Sequence, residues 1–209
     1  MTKKYELLKD DTVETPDGTT LYRIRALVNI APDVKAGDLG GYLKSEESLS
    51  HSCNSWVSDN ARVSDNAQVS DNARVSDNAR VFDNAWVSDN AQVSGNARIY
   101  GDAWVSDNAL VSGNAQVYEN ARVSGDVKAY ENARVCGDAR VLGNVQVYGN
   151  ERIYGDTWLL GDVRIPNRGA VVEEKHGSSQ IGQEYRSLIE VVRLRLGFAA
   201  PAPAAVQGE

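Results

Sequence analysis

From Val57 to Arg164 the chain keeps a six-residue beat: an aliphatic residue, three polar ones, a small residue and a variable one. The first position is Val57, Val63, Val69 and so on through Ile99 to Ile153 and Leu159, with Ala129 the one small exception. The fifth is Ala61, Ala67, Ala73 and onward, with Val127, Val145 and Val163 as larger variants and Thr157 as a mild one; Glu151 departs from it. Between them stand Asp or Gly and then Asn or Asp, as in Asp59–Asn60 and Gly101–Asp102, the types that enter a left-handed backbone conformation most cheaply. Such a chain turns every six residues. Each short strand is a triplet whose central residue faces inward, and one large and one small inward residue per side imply a core of Val and Ala. Eighteen copies follow one another without a gap.

The flanks lose this beat. In residues 1–50 the alternation of Tyr22, Ile24, Ala26 and Val28 against Arg23 and Arg25, after the turn residues Pro16, Asp17 and Gly18, predicts a β-hairpin seated on the first coil as a cap. The repeat domain is expected over 51–166. In the C-terminal segment 167–197, Ile181, Tyr185, Leu188, Ile189, Val192 and Leu196 follow helical spacing up to Gly197 and predict an amphipathic helix. The Pro- and Ala-rich residues 198–209 predict a disordered tail.

The pattern aliphatic, any, any, any, small, any resembles the hexapeptide-repeat family of left-handed β-helices, over about half the chain. The approach GDLGGYLKSEESLS before the first repeat is similar to long bacterial and phage-encoded members of YdcK type. The resemblance implies an all-β solenoid, a left-handed parallel β-helix in which three hexads close one triangular coil. Eighteen hexads then give about six coils and a rod roughly 30 Å long, with residues eighteen apart stacked at the usual strand spacing of about 4.8 Å.

Composition narrows the chemistry. Two Phe and one Met leave the packing to small apolar residues. A formal charge of −7 argues against a dedicated nucleic-acid binder, which concentrates excess Lys and Arg. Cys53 and Cys136 stand far apart, as do His51 and His176, so no metal site is expected and a reducing compartment is the default. No run of eighteen apolar residues occurs, and the N-terminus has no apolar stretch behind its charged start, so the chain is expected to be cytoplasmic, with no membrane contact.

Stacking at eighteen sorts the outward residues into columns. One face carries Arg62, Arg80, Arg98, Gln116, Arg134 and Arg152 beside Ser64, Phe82, Tyr100, Tyr118, Cys136 and Tyr154. Arg80, Phe82, Arg98, Tyr100, Tyr118 and Arg134 are the candidate ligand-binding residues: guanidinium forks could take phosphates while a ring face takes an aromatic base. Solvated arginines stacked on the neighbouring rings are the plainer reading. A second face carries Trp86, Trp104 and Trp158 with Leu142 and Leu160, a candidate interface with a second subunit or the C-terminal helix, or a ligand platform. The third, with Trp56, Arg74, Gln92, Leu110, Lys128, Gln146 and Arg164, is the blandest. The asparagine column Asn60, Asn78, Asn96, Asn114, Asn132 and Asn150 reads as a hydrogen-bond ladder, and Asp71, Asp89 and Asp107 as a weak cation attractor.

Many relatives in the resembling family are trimeric acyltransferases that use a histidine base on or near an interrupting loop. Here no hexad is interrupted and no histidine lies between His51 and His176, so neither that chemistry nor a three-histidine metal site is carried over. The sequence therefore predicts a non-enzymatic binding or assembly protein with no catalytic residue and no cofactor. It would be a homo-oligomer, trimer or dimer, able to sequester an anionic small molecule such as a nucleotide or to meet an acidic protein surface, and possible as a phage product. An acyltransferase-like enzyme and a purely structural scaffold are the alternatives.

Overall fold

The fifth residue of each hexad is small because it sits just inside a corner, where the chain has turned and the next wall begins. The computed structural model describes residues 3–165 and the backbone of the strand Val171–Glu174. Within the repeats, two- to four-residue strands begin every six residues, at Trp56, Arg62, Gln68, Arg74 and onward. Each pairs in parallel with the strand eighteen residues away, as Arg98 with Gln116 and Val105 with Val123. The result is an all-β parallel solenoid of about seven turns, with walls of ten, seven and six strands.

Its interior is the two predicted columns. Val57, Val63, Val81, Ile99, Val117, Val135 and Ile153 are fully buried, as are Ala61, Ala79, Ala97 and Ala115. Glu151 also points inward and is fully buried at the last of these small positions.

Most corners are turns closed by the fifth residue's N–H on the carbonyl three back, such as Ala61 to Ser58 at 3.1 Å. The first central residue takes a positive φ, 57° at Asp59 and 59° at Asp77. The aspartates there do more than tolerate the conformation. Asp77 Oδ2 accepts the N–H of Gly95 in the next coil at 2.8 Å, and Asp83 Oδ2 that of Gly101 at 3.0 Å. The fourth residues form side-chain ladders at all three corners, including Asn96 to Asn114 to Asn132 to Asn150 at 3.1–3.2 Å, where each amide donates to the coil above.

The coil starts earlier and runs later than the hexads do. A hairpin of β1 (Tyr5–Glu14) and β2 (Thr20–Ala26) leads into β3 (Leu39–Leu43), which is antiparallel to β2 but parallel to the strand Arg62–Val63. Leu49 then bridges to Val69 in parallel. Leu43 and Leu49 thus occupy inward positions of a coil before the first regular one, both fully buried. At the other end Val171–Glu174 pairs in parallel with Arg152–Gly155, so the expected loss of period after Pro166 does not end the solenoid. These additions account for about seven turns where six were expected.

The hairpin is present, but its alternation is not the expected one. A register shift between Arg23 and Arg25 puts Leu21 and Ile24, three apart, on the buried side, while Val28 lies beyond the strand and is exposed. Buried polar contacts hold the N-terminus to the coil: Lys4 Nζ donates to Ser55 O at 2.9 Å and to Ser55 Oγ at 3.1 Å, and the Tyr5 hydroxyl donates to Glu46 O and Leu49 O. The amphipathic stretch over 181–196 and the tail lie outside the described residues.

Candidate functional site

Because every wall repeats at the strand spacing, an outward side chain has its counterpart one coil away as nearest neighbour. On the face beginning at Arg62, register pairing puts Arg62, Arg80, Arg98, Gln116, Arg134 and Arg152 in one line. Two residues on, the rings of Phe82, Tyr100 and Tyr118 stack face to face, with centroids 4.8 and 4.9 Å apart and planes within 3°. All six candidate ligand residues therefore share one face. The rings, however, spend their faces on one another and turn their edges outward. A planar base has no room between them, because the ring spacing is already that of stacked aromatics. Tyr118 is hydrogen-bonded to Cys136, which with burial pushes its hydroxyl up to about 12, and burial raises the Cys136 thiol.

The guanidinium groups of this face are not neutralised nearby. The ion pairs among the described residues that involve arginine are Arg23 with Asp11 at 2.9 Å, Arg25 with Glu6 and Arg74 with Asp33 at 3.0 Å, none of them in the column. The guanidinium-on-ring contacts lie elsewhere too, as Arg140 over Trp158 at 4.6 Å and Arg164 over Tyr148 at 5.2 Å. Arg80 holds its proton less firmly than usual, first because it is partly buried and then because Arg62 and Arg98 flank it.

A feature the sequence reading missed closes the far margin of this face. The corner after the ring column carries one carboxylate in every coil: Asp65, Asp83, Asp102, Glu119, Asp138 and Asp156. It escaped notice because the acid alternates between the third and fourth positions of the hexad, so no single column shows it. Lys44 approaches the first of the series at 3.8 Å. Across the face the order is thus cations, rings and then a carboxylate in each of these coils, while the corner before the arginines carries acids in only some coils, Asp59, Asp77 and Glu131.

The other two faces lack this order. Trp86 and Trp104 stack at 5.1 Å and are 41% and 39% exposed, the Trp86 indole N–H donates to Ser70 Oγ at 3.2 Å, and Arg122 lies over Trp104. The indoles therefore find neighbours within the rod, and Leu142 and Leu160 pair beside them, half-buried. The third face is less bland than expected, since Trp56 is buried and Arg74 ties the wall to Asp33.

The described histidine is built into the N-terminal contact. His51 Nδ1 accepts the Lys4 N–H at 3.2 Å and its ring stacks on Tyr5 at 4.5 Å. No group of three or more His, Cys, Asp or Glu poised for a metal occurs among the described residues, and no helix among them is long and apolar enough to cross a membrane.

A parallel coil with short strands at a fixed six-residue spacing, walled by side-chain ladders, defines the class of β-solenoid repeat proteins. Within it, this chain is similar to the YdcK beta solenoid repeat, which matches it at residues 57–71, 67–77, 73–89, 91–107, 103–119, 115–131 and 133–149. No curated protein matches the chain.

Proposed function

We propose that this protein is a non-enzymatic binding rod, cytoplasmic and wound in the left-handed sense, whose basic face recognises phosphate or carboxylate groups set in a line. The observation that carries this reading is the register of five guanidinium groups, none of them in an ion pair among the described residues, against a wall of rings that cannot collapse over them because the rings stack on each other. Recognition is by charge and fork geometry, since the ring faces are occupied. The docked position of His51, stacked on Tyr5, supports a structural role for it over that of an acyl-transfer base.

Thermal shift and calorimetry with pyrophosphate, tripolyphosphate and nucleotides test this. Each charge-assisted contact contributes about 1.5–3 kcal/mol, so Arg98→Ala is expected to weaken binding roughly ten- to a hundredfold. Lys128→Ala, on the exposed third face, is expected to change little; Arg74 is no control, because its loss breaks the pair with Asp33. Nucleotides should bind no better than tripolyphosphate. Absence of binding below about 100 µM, or equal losses in both variants, overturns the reading.

A further inference from the structure

We propose that the partner of the basic face is a second copy of this chain, with the two rods side by side and parallel, the arginine line of each against the acidic corner of the other. This rests on the reading of the face as an anion-recognising surface and names its occupant.

The argument is one of symmetry. Across the face the order is cation, ring, acid, and it recurs coil after coil: Arg62 with Asp65, Arg80 with Asp83, Arg98 with Asp102, Arg134 with Asp138, Arg152 with Asp156. Five of the six coils carry both members, and the sixth has Gln116 with Glu119. A two-fold axis parallel to the rod exchanges left and right but leaves height unchanged. It therefore sets each arginine opposite the carboxylate of the same coil, twice over, with the ring columns meeting near the axis. A two-fold axis along the strands would instead lay arginine on arginine. Because both lines come from one fold, their repeats are commensurate by construction, a match that an unrelated polyanion would have to reach by chance.

The pattern is particular to this face. On the indole face only Arg122 has an acid at the following corner, Asp126, and on the third face only Arg74 with Asp77 and Lys128 with Glu131 do. Asp102 and Asp138 each accept one amide, from Asn84 at 2.9 Å and Asn120 at 2.8 Å, and Asp83 and Glu119 each accept one backbone N–H through one oxygen, so these four keep a second oxygen for the task; Asp65 is already engaged by Ser64, the Asp83 N–H and Lys44. Six coils by four residues make a patch of about 29 by 13 Å, smaller than the roughly 800 Å² per partner of a standard interface, so the dimer is expected to be micromolar and salt-sensitive.

The test uses the full chain. Sedimentation from about 1 to 200 µM is expected to show a dimer at about 50 mM salt whose dissociation constant rises at least tenfold at about 500 mM. Arg98→Asp and Asp102→Arg should each weaken it by tenfold or more, and the double variant should restore it. Asp102→Asn keeps the acceptor that Asn84 uses and should also weaken it, and circular dichroism confirms that the variants stay folded. In a Cys53→Ser background, a short bismaleimide should join Cys136 to Cys136, because this residue lies in the ring column near the axis at one height in both copies. A monomer at every concentration overturns the proposal, as does a dimer that Arg98→Asp leaves intact and Trp104→Glu dissociates, or one that never cross-links through Cys136. If the protein stays monomeric yet binds tripolyphosphate in an Arg98-dependent way, the self-pairing has failed and the anion-recognising face stands. If neither occurs, both fall.

Discussion

At the scale of single residues, direction decides cost. Val105 is fully buried between Val87 and Val123, whereas Ser106 next to it faces out. Val105→Asp would place a charge among valines and is expected to cost several kcal/mol, against about 0.5 or less for Ser106→Asp, as read from urea melts. Corner aspartates are a middle case. Asp77→Ala removes the acceptor of the Gly95 N–H while leaving a Cβ residue at positive φ, so about 1–3 kcal/mol is expected. Asp77→Gly relieves the backbone and should cost less. Both inward positions and the asparagine ladder could be read directly from the six-residue beat, because every hexad repeats the same vote. The face-to-face stacking of Phe82, Tyr100 and Tyr118 could not, since the sequence equally allowed arginines over the rings. The strand spacing decided it by matching the thickness of a stacked ring pair.

Lys4 makes a residue-scale prediction in pH. Burial lowers its ammonium from 10.5 to about 8, so between those values the folded chain binds fewer protons than the unfolded one and stability rises with pH. The penalty is full below about pH 8 and is relieved on going up. Tyr5, Tyr118 and Cys136 are shifted upward and oppose this once their unfolded forms titrate, above about pH 9. The melting temperature is therefore expected to rise between about pH 7.5 and 9, and Lys4→Met should flatten that rise. A wild-type profile that falls over this window would refute the assignment.

At the scale of elements, strands this short hold because all but those at the ends of the walls are bonded on both sides, and their stability comes from stacking rather than from length. The element that begins the coil, β3, relies on two glycines. A Cβ on Gly41 would lie 2.5 Å from the Ala61 carbonyl oxygen and 2.7 Å from Val57 Cγ1, and one on Gly40 would meet Val57 O and Ile24 at 2.5 Å. Gly41→Ala is expected to lift β3 from the first regular coil and lower stability by about 1–3 kcal/mol, with hydrogen exchange rising first in residues 39–43. Gly18→Ala, in open space at a φ of +85°, should act only locally. This part of the fold was hard to see in the sequence for a definite reason. Leu43 to Leu49 keeps the six-residue step, but Leu49 to Val57 takes eight, and the step from Ile153 to its partner Val172 takes nineteen. A period search stops where the period changes, although the coil does not.

At the scale of the whole molecule, the hexad and the coil are different units, and that difference can be tested. Every hexad carries the same inward pair, so cutting out six residues, 83–88, keeps the interior in phase but turns everything after the cut by one wall. Arg98 and Arg134 would then leave the line of Arg62 and Arg80, and Tyr100 and Tyr118 would no longer stack on Phe82. Cutting out a full coil of eighteen, residues 83–100, shortens the rod but returns each later residue to its wall: Gln116 and Arg134 fall in line above Arg80, and Tyr118 above Phe82. Both deletions remove buried Val and Ala in proportion to length, so the shorter one should be the more stable in urea, if stacking of the interior were all that the rod uses. The outer ladders run with the coil and not with the hexad, and they add the opposite preference at the cut. What separates the two is the surface. The eighteen-residue deletion is expected to keep a weakened anion affinity and salt-sensitive pairing, because the basic line and acidic corner survive one coil shorter. The six-residue deletion is expected to lose both while remaining folded by circular dichroism. If it binds tripolyphosphate as the parent does, recognition does not depend on an unbroken line of guanidinium groups along one wall.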